Sequence, residues 1–185
     1  MAKIPSAPPD CGSGQQGWPR YWPELSFPAS PFVPGISPRT ERHAVNSWED
    51  LGAFADRPLT AANWPRHGPY LFGVDLFNHG FWWEAHEQWE RPWRCGDLLQ
   101  RPFLQGLIQL AASLLKWRVG NARGQDVLRS KGLRNLETVK RKVSEEVYMG
   151  LCLEELALKI DRHRRLHQGA PAEAIAPMII LCRDA

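Results

Sequence analysis

One histidine and three glutamates lie within the seven-residue segment EAHEQWE, residues 84–90. Imidazole and carboxylate groups bind divalent metal ions, and they are also common acid–base groups in catalysis. Side chains four residues apart meet on a helix, so His86 and Glu90 are expected to converge on one point. The segment predicts a catalytic group of His86, Glu90, Glu87 and Glu84, in which His86 and Glu90 are also metal ligands.

Tryptophans surround this polar group, because four of the chain's nine lie between Phe81 and Trp93. At ~100° per residue, His86 shares one helical face with Trp82, Trp89 and Trp93. We expect these three rings to be buried, and Trp89 and Trp93 to contact a bound ligand. The residues predicted to point away from this face are Glu84, Gln88 and Arg91.

The segment RPFLQGLIQLAASLLKW, residues 101–117, predicts a buried helix because it is apolar on nearly every side. Its polar stripe contains Gln105 and Gln109, which need hydrogen-bond partners in a buried setting. The face of His86 and Glu90 is the natural partner, so we predict a shared polar pocket in which both glutamines bind the ligand. The alternative is that His86 and Glu90 form only a buried hydrogen-bonded pair that fixes the helix register.

Residues 1–68 are rich in proline, which prevents helices and disfavours central strands. Aromatic residues such as Tyr21, Phe27 and Phe32 are too numerous here for a freely solvated segment. We therefore expect the first ~15 residues to be mobile and the remainder to pack on a helical body as an extended arm. The alternative is a proline-rich ligand for a groove on another protein.

Helical periodicity begins at Pro69 and continues as far as His167. Gly80 and Gly120 mark turns between helices, and Pro92 is expected to kink or end the second helix. The predicted fold is all-α, an antiparallel bundle of about five helices with a proline-rich extended N-terminal arm packed on it. The predicted helices are 69–78, 81–91, 102–117, about 124–143 and 153–167, followed by an extended tail over 168–185.

The net charge of +3 is unevenly distributed, because residues 116–142 contain nine Lys or Arg and only two acidic residues. On a helical wheel, five of these cations gather opposite apolar residues such as Leu136 and Val139, and we call them the basic stripe. No aromatic residues interleave them, so we expect a solvated face and no specific nucleic-acid partner. The basic stripe consists of Arg123, Lys131, Arg134, Arg141 and Lys142.

The chain contains no apolar run near the ~18 residues that cross a bilayer, and its first residues lack the apolar stretch of a secretory signal. The four cysteines are widely spaced, which is typical of reduced residues that only contribute packing. We expect a soluble cytoplasmic protein without a membrane partner.

Four spaced motifs occur in order along the central segment: LFNHG (76–80), EAHEQWERPW (84–93), LQGLIQLAA (104–112) and GNARG (120–124). Together they resemble the domain-of-unknown-function 309 family of bacteria and plastids. The resemblance implies a small all-α fold and supplies no activity. Asn78 and Asn121 lie in the first and last motifs and are included among the expected ligand-binding residues, whereas Pro92 departs from the helix-forming residue usual in the family.

Two functional hypotheses from different classes follow. The first is a small-molecule or metal-dependent, hydrolase-like site, with a divalent metal ion as its cofactor. The second is a non-enzymatic helical module that binds a protein partner and resembles a single tetratricopeptide hairpin, which has small residues at helix contacts. The residues with that spacing are Gly73, Leu76, Gly80, Ala85 and Trp89.

Overall fold

A computed structural model of the chain describes residues 19–38, 57–166 and 179–182. Within these ranges, five α-helices follow a short 3-10 turn at Trp64–Arg66. This confirms the predicted all-α helical bundle. The helices are α1 (Gly68–Asn78), α2 (Trp82–Cys95), α3 (Gln100–Arg118), α4 (Ala122–Lys140) and α5 (Leu153–Leu166).

Successive helices pack on one another from α1 to α4, and all eleven residues of α1 are buried. Close packing of α1 on α2 depends on Gly73, where an added Cβ would lie 2.3 Å from Trp89 Nε1. The same indole nitrogen donates a hydrogen bond to the Tyr70 carbonyl at 3.2 Å. The Trp89 ring is therefore locked into the centre of the molecule.

The connection before α5 contains an antiparallel β-hairpin that was not expected from the sequence. Its strands, β1 (Val147–Tyr148) and β2 (Leu151–Cys152), are each two residues long. The turn residues Met149 and Gly150 both have positive φ, and an added Cβ on Gly150 would meet the Trp64 ring at 2.4 Å. The Tyr70 hydroxyl donates a hydrogen bond to the Met149 carbonyl, which ties the hairpin to α1.

Several helix boundaries differ from those predicted. Pro92 was expected to kink or end the second helix. The helix α2 continues through it to Cys95, so an end at this proline was wrong, whereas a kink stays a prediction. Proline removes one backbone hydrogen bond, but its φ is compatible with a helix, and the buried Pro92 ring offsets part of that loss. The helix α3 begins at Gln100, which places Pro102 in the first turn, where backbone N–H groups have no intrahelical acceptor.

The proline-rich arm packs on the helical body over residues 19–38, as predicted. Tyr21, Phe32 and Val33 are buried there. The first ~15 residues, which were expected to be mobile, lie outside the described residues, as does most of the tail. Leu181 in the described part of the tail forms a β-bridge with Leu151.

No helix among the described residues has the length and apolar character needed to cross a membrane.

Candidate functional site

The helix α2 is rotated relative to the face predicted for it. Trp82 and Trp89 are buried as expected, but Trp93 is only partly buried. Glu84 and Gln88 are also buried, so the prediction that they point away from the body was wrong. At ~100° per residue, the buried arc is centred about a quarter-turn from the predicted tryptophan stripe. The arm covers the side of α2 that contains Glu84. The periodicity of residues within α2 does not predict this contact.

Three polar side chains come together on the outer side of α2. His86 Nδ1 lies 3.4 Å from Glu87 Oε1, and His86 Nε2 lies 3.6 Å from Glu90 Oε1. One ligand atom from each residue lies within 4.8 Å of the other two. The side chains are between 20% and 33% exposed, so a small ligand can reach them from solvent. We call His86, Glu87 and Glu90 the outer cluster.

Aromatic packing sets the orientation of the His86 ring. The Trp83 indole stacks on it with ring centroids 5.5 Å apart and planes inclined by 18°. The Phe32 ring of the arm also packs on Trp83, with ring centroids 5.5 Å apart. Nδ1 of His86 is buried and makes no hydrogen bond within the described residues. Stacking on Trp83 therefore fixes the His86 ring. At most metal sites a hydrogen bond from the second ring nitrogen has this role.

The two predicted glutamines have other surroundings. Gln109 Oε1 accepts a hydrogen bond from Asn135 Nδ2 of α4 at 3.0 Å. Gln105 is partly buried. Within the described ranges, neither glutamine is hydrogen-bonded to His86 or Glu90. The predicted pocket of four residues therefore has no hydrogen bond that connects its two halves.

Glu84 lies on the buried side of α2, three residues before Glu87 of the outer cluster. Its Oε1 accepts a hydrogen bond from the backbone N–H of Phe32 at 2.7 Å, whereas its Oε2 is buried without a hydrogen-bond partner among the described residues. Burial raises the pKa of the Glu84 carboxyl, and the Phe32 N–H and the charge of Arg118 offset part of this rise. The Arg118 guanidinium stacks on the Trp82 ring at 4.1 Å. Glu84 thus anchors the arm.

A second anchoring carboxylate, Asp75 in α1, was missed by the sequence reasoning. Its Oδ1 accepts a hydrogen bond from Tyr21 N at 2.7 Å, and its Oδ2 accepts bonds from Trp22 N at 2.8 Å and Arg20 Nε at 3.0 Å. Burial raises its pKa, and these donors offset part of the rise. The available signal was the one acidic residue within the mostly apolar helix GPYLFGVDLFN, because a buried charge needs partners.

The two predicted asparagines both make backbone contacts. Asn78 is buried, and its amide exchanges two hydrogen bonds with the backbone of Ile179, at 2.9 and 2.6 Å. Asn121 is exposed and caps α4 by accepting a hydrogen bond from Gly124 N at 2.8 Å. These contacts give each asparagine a structural role, and ligand binding by either remains a prediction.

Two further predictions concern surface residues. The whole basic stripe is exposed, opposite buried Leu136 and Val139. Its lack of a specific nucleic-acid partner remains a prediction. Cys95 is exposed, so the expectation that the cysteines only contribute packing was wrong for this residue, whereas Cys152 and Cys182 are partly buried.

A recess of about 540 Å³ lies beside the β-hairpin, and it is separate from the outer cluster. Trp64 and Tyr148 contribute aromatic surface to it, and Glu145 and Glu146 contribute carboxylates. None of the predicted site residues lines this recess.

The fold and the outer cluster define a small helical protein with a histidine–glutamate–glutamate group on one helix. Residues 70–128 match the family described as "Domain of unknown function (DUF309)", which confirms the resemblance drawn from the four motifs. The matched segment contains the whole outer cluster and both arm anchors. Comparison with curated proteins and with solved structures gives no match.

Proposed function

We propose that the outer cluster binds a divalent metal ion and that this ion serves a hydrolase-like reaction on a small molecule. The observation that carries the proposal is the convergence of one imidazole and two carboxylates within 4.8 Å of one another. These are ligand types that first-row divalent ions accept. Their partial exposure leaves an approach for substrate.

The spacing of the three groups suits an ion after a small adjustment. Two atoms bound at ~2.1 Å to one tetrahedral zinc ion are about 3.4 Å apart. The observed limit of 4.8 Å therefore requires a contraction of up to about 1.4 Å. Rotation of the partly exposed Glu87 and Glu90 side chains is sufficient for this movement.

Charge also favours a cation at this position. Glu87 and Glu90 are three residues apart on the same side of α2, and two like charges at that spacing destabilise a helix. A divalent cation between them neutralises both carboxylates. Arg94 Nη2 lies 3.5 Å from Glu90 Oε2, but Arg94 is exposed, so it competes only weakly with an ion.

The chemistry expected of such a site is activation of water. Three protein ligands leave at least one coordination position open, as in catalytic zinc sites. A bound divalent ion lowers the pKa of a coordinated water and polarises a carbonyl or phosphoryl oxygen. Hydrolysis of an ester bond is therefore the first reaction to assay. In this proposal Glu84 has no catalytic role, because its carboxylate is buried and bonded to the arm.

Isothermal titration of the metal-free full chain with Zn²⁺ and Mn²⁺ tests the proposal. We expect one ion per chain for the native protein and no binding at this site for the His86→Gln, Glu90→Gln double variant, which should keep its helical circular dichroism. The control is Glu154→Gln, an exposed glutamate on α5 whose loss changes the charge by the same amount. Unchanged stoichiometry in the double variant, or no binding by the native chain at millimolar ion, would contradict the proposal.

The interaction-module hypothesis has less support. Gly73, Ala85 and Trp89, which have the spacing of a tetratricopeptide hairpin, are buried in this chain's own core. Stable arrays of such hairpins need about three stacked copies, and the sequence shows one. The structure supplies no observation that favours it over the metal site.

A further inference from the structure

We propose that Phe32 of the arm is a positioning residue for the outer cluster, so that the state of the arm controls metal binding. The contacts form a continuous chain: the Phe32 ring lies 5.5 Å from the Trp83 ring, which stacks on His86 at 5.5 Å. Trp83 thus contacts both the arm and the imidazole. The predicted effect of Phe32 on metal affinity rests on the function proposed above. Its predicted effect on the orientation of the His86 ring does not.

The arm is fixed firmly enough at Phe32 to perform this role. The Phe32 side chain is buried, and its backbone N–H donates to Glu84 Oε1 at 2.7 Å. The chain closes on itself immediately afterwards, because Ile36 N and Ser37 N both donate to the Val33 carbonyl. Phe32 is therefore held from both its backbone and its side chain.

His86 depends on this packing because no hydrogen bond replaces it. Nδ1 has no hydrogen-bond partner within the described residues, and Nε2 lies 3.6 Å from Glu90. A ligand imidazole whose ring rotates freely must be ordered when the ion binds, which weakens affinity. An arm that keeps Trp83 in place removes that cost in advance. Any partner that displaces residues 32–37 would weaken metal binding without touching a ligand.

The arm contains a matched control for this proposal. Phe27 packs on α1 and on the turn that follows it, with its ring 4.6 Å from His79 and 5.2 Å from Phe81. No contact described for Phe27 reaches Trp83. Phe27→Ala therefore removes aromatic packing from the same arm and leaves the outer cluster alone.

The experiment compares Phe32→Ala, Phe32→Tyr and Phe27→Ala in the full chain. Zn²⁺ affinity is measured by titration, and the His86 ring protons are followed by NMR without metal, assigned by their loss in His86→Gln. An aromatic pair contributes enough energy to predict about two- to tenfold weaker binding in Phe32→Ala. We expect a shift of the His86 resonances in that variant alone, and native behaviour in Phe32→Tyr and Phe27→Ala.

Each outcome decides the proposal. Equal loss of affinity in Phe27→Ala and Phe32→Ala would overturn it, because general loosening of the arm would then explain both. Native affinity and native His86 resonances in Phe32→Ala would also overturn it. If the native chain binds no Zn²⁺, the metal function fails while the His86 resonances still test the positioning. If Phe32→Ala loses its helical spectrum, Phe32→Leu, which keeps a buried side chain, takes its place.

Discussion

The helix α2 carries polar groups on two faces, and these groups differ in their exposure and in their hydrogen-bond partners. On the inner face, Glu84 is buried, and its Oε1 accepts a hydrogen bond from a backbone N–H of the arm. On the outer face, His86, Glu87 and Glu90 are partly exposed and approach mainly one another. A carboxylate matched to a backbone donor holds structure together, whereas carboxylates gathered around an imidazole leave ligand atoms available.

The largest expected difference between the two faces is in the free energy of unfolding when a glutamate on each face is replaced. Glu84→Ala leaves the Phe32 N–H unpaired and the partly buried Arg118 without its nearby charge. We therefore expect a loss of about 2–4 kcal/mol in the free energy of unfolding. Glu87→Ala on the outer face should change it by less than about 0.5 kcal/mol. Urea denaturation of both variants measures the difference, and similar losses would remove the distinction between the faces.

Added metal ion should act on the outer face alone. An ion that binds only the folded chain raises the free energy of unfolding by about 2.7 kcal/mol at a concentration of 100 times Kd. We expect this stabilisation in the native chain and in Glu154→Gln, and none in His86→Gln, Glu90→Gln. Thermal unfolding at fixed ion concentration measures it, and equal stabilisation of the double variant would place the ion elsewhere.

The other arm anchor predicts a pH dependence of definite sign. The pKa of Asp75 is raised in the folded chain by burial, so the folded state favours the protonated carboxyl. Its stabilising contribution is full below the unfolded pKa of ~3.9 and is lost as pH rises through the folded pKa. The free energy of unfolding of the native chain minus that of Asp75→Asn should therefore fall as pH rises above ~4. A difference that grows with pH would show that the three donors outweigh burial.

Asp97 is an exposed carboxylate for which the sign is reversed. It accepts hydrogen bonds from Gln100 N at 3.0 Å and Leu99 N at 2.8 Å, which lower its pKa. We expect Asp97→Ala to cost about 1 kcal/mol near neutral pH. The native advantage should disappear as pH falls through the lowered folded pKa. Chemical denaturation at pH 7 and at pH 2 to 3 measures this smallest effect, and a cost that persists in acid would contradict it.

The bundle could be predicted from sequence because its signals are local. Gly80 and Gly120 mark the ends of α1 and α3 with positive φ, and the periodicity between such breaks identifies the helices. The convergence of His86 with Glu90 follows from helical spacing in the same way. These features depend on residues only a few positions apart.

The orientation of α2 could not be obtained in this way. Aromatic residues occur on both sides of the helix, and the side that is buried is decided by Phe32, which lies 52 positions before Glu84. Asp75 was missed for the same reason, because its donors on Tyr21 and Trp22 lie more than 50 positions away. Hydrogen bonds between residues so far apart in the chain produce no periodic pattern in the sequence.

The helix α1 is completed by two segments that reach it at different times during synthesis. The residues that satisfy Asp75, on the arm, are made before the helix itself. The residue that satisfies Asn78 is Ile179, which is 101 positions later. Until the ribosome has added that stretch, the Asn78 amide has to rely on water for its hydrogen bonds, because its place in the interior is not yet closed. A nascent chain stalled after α5 should therefore expose this end of α1 to chaperones and proteases.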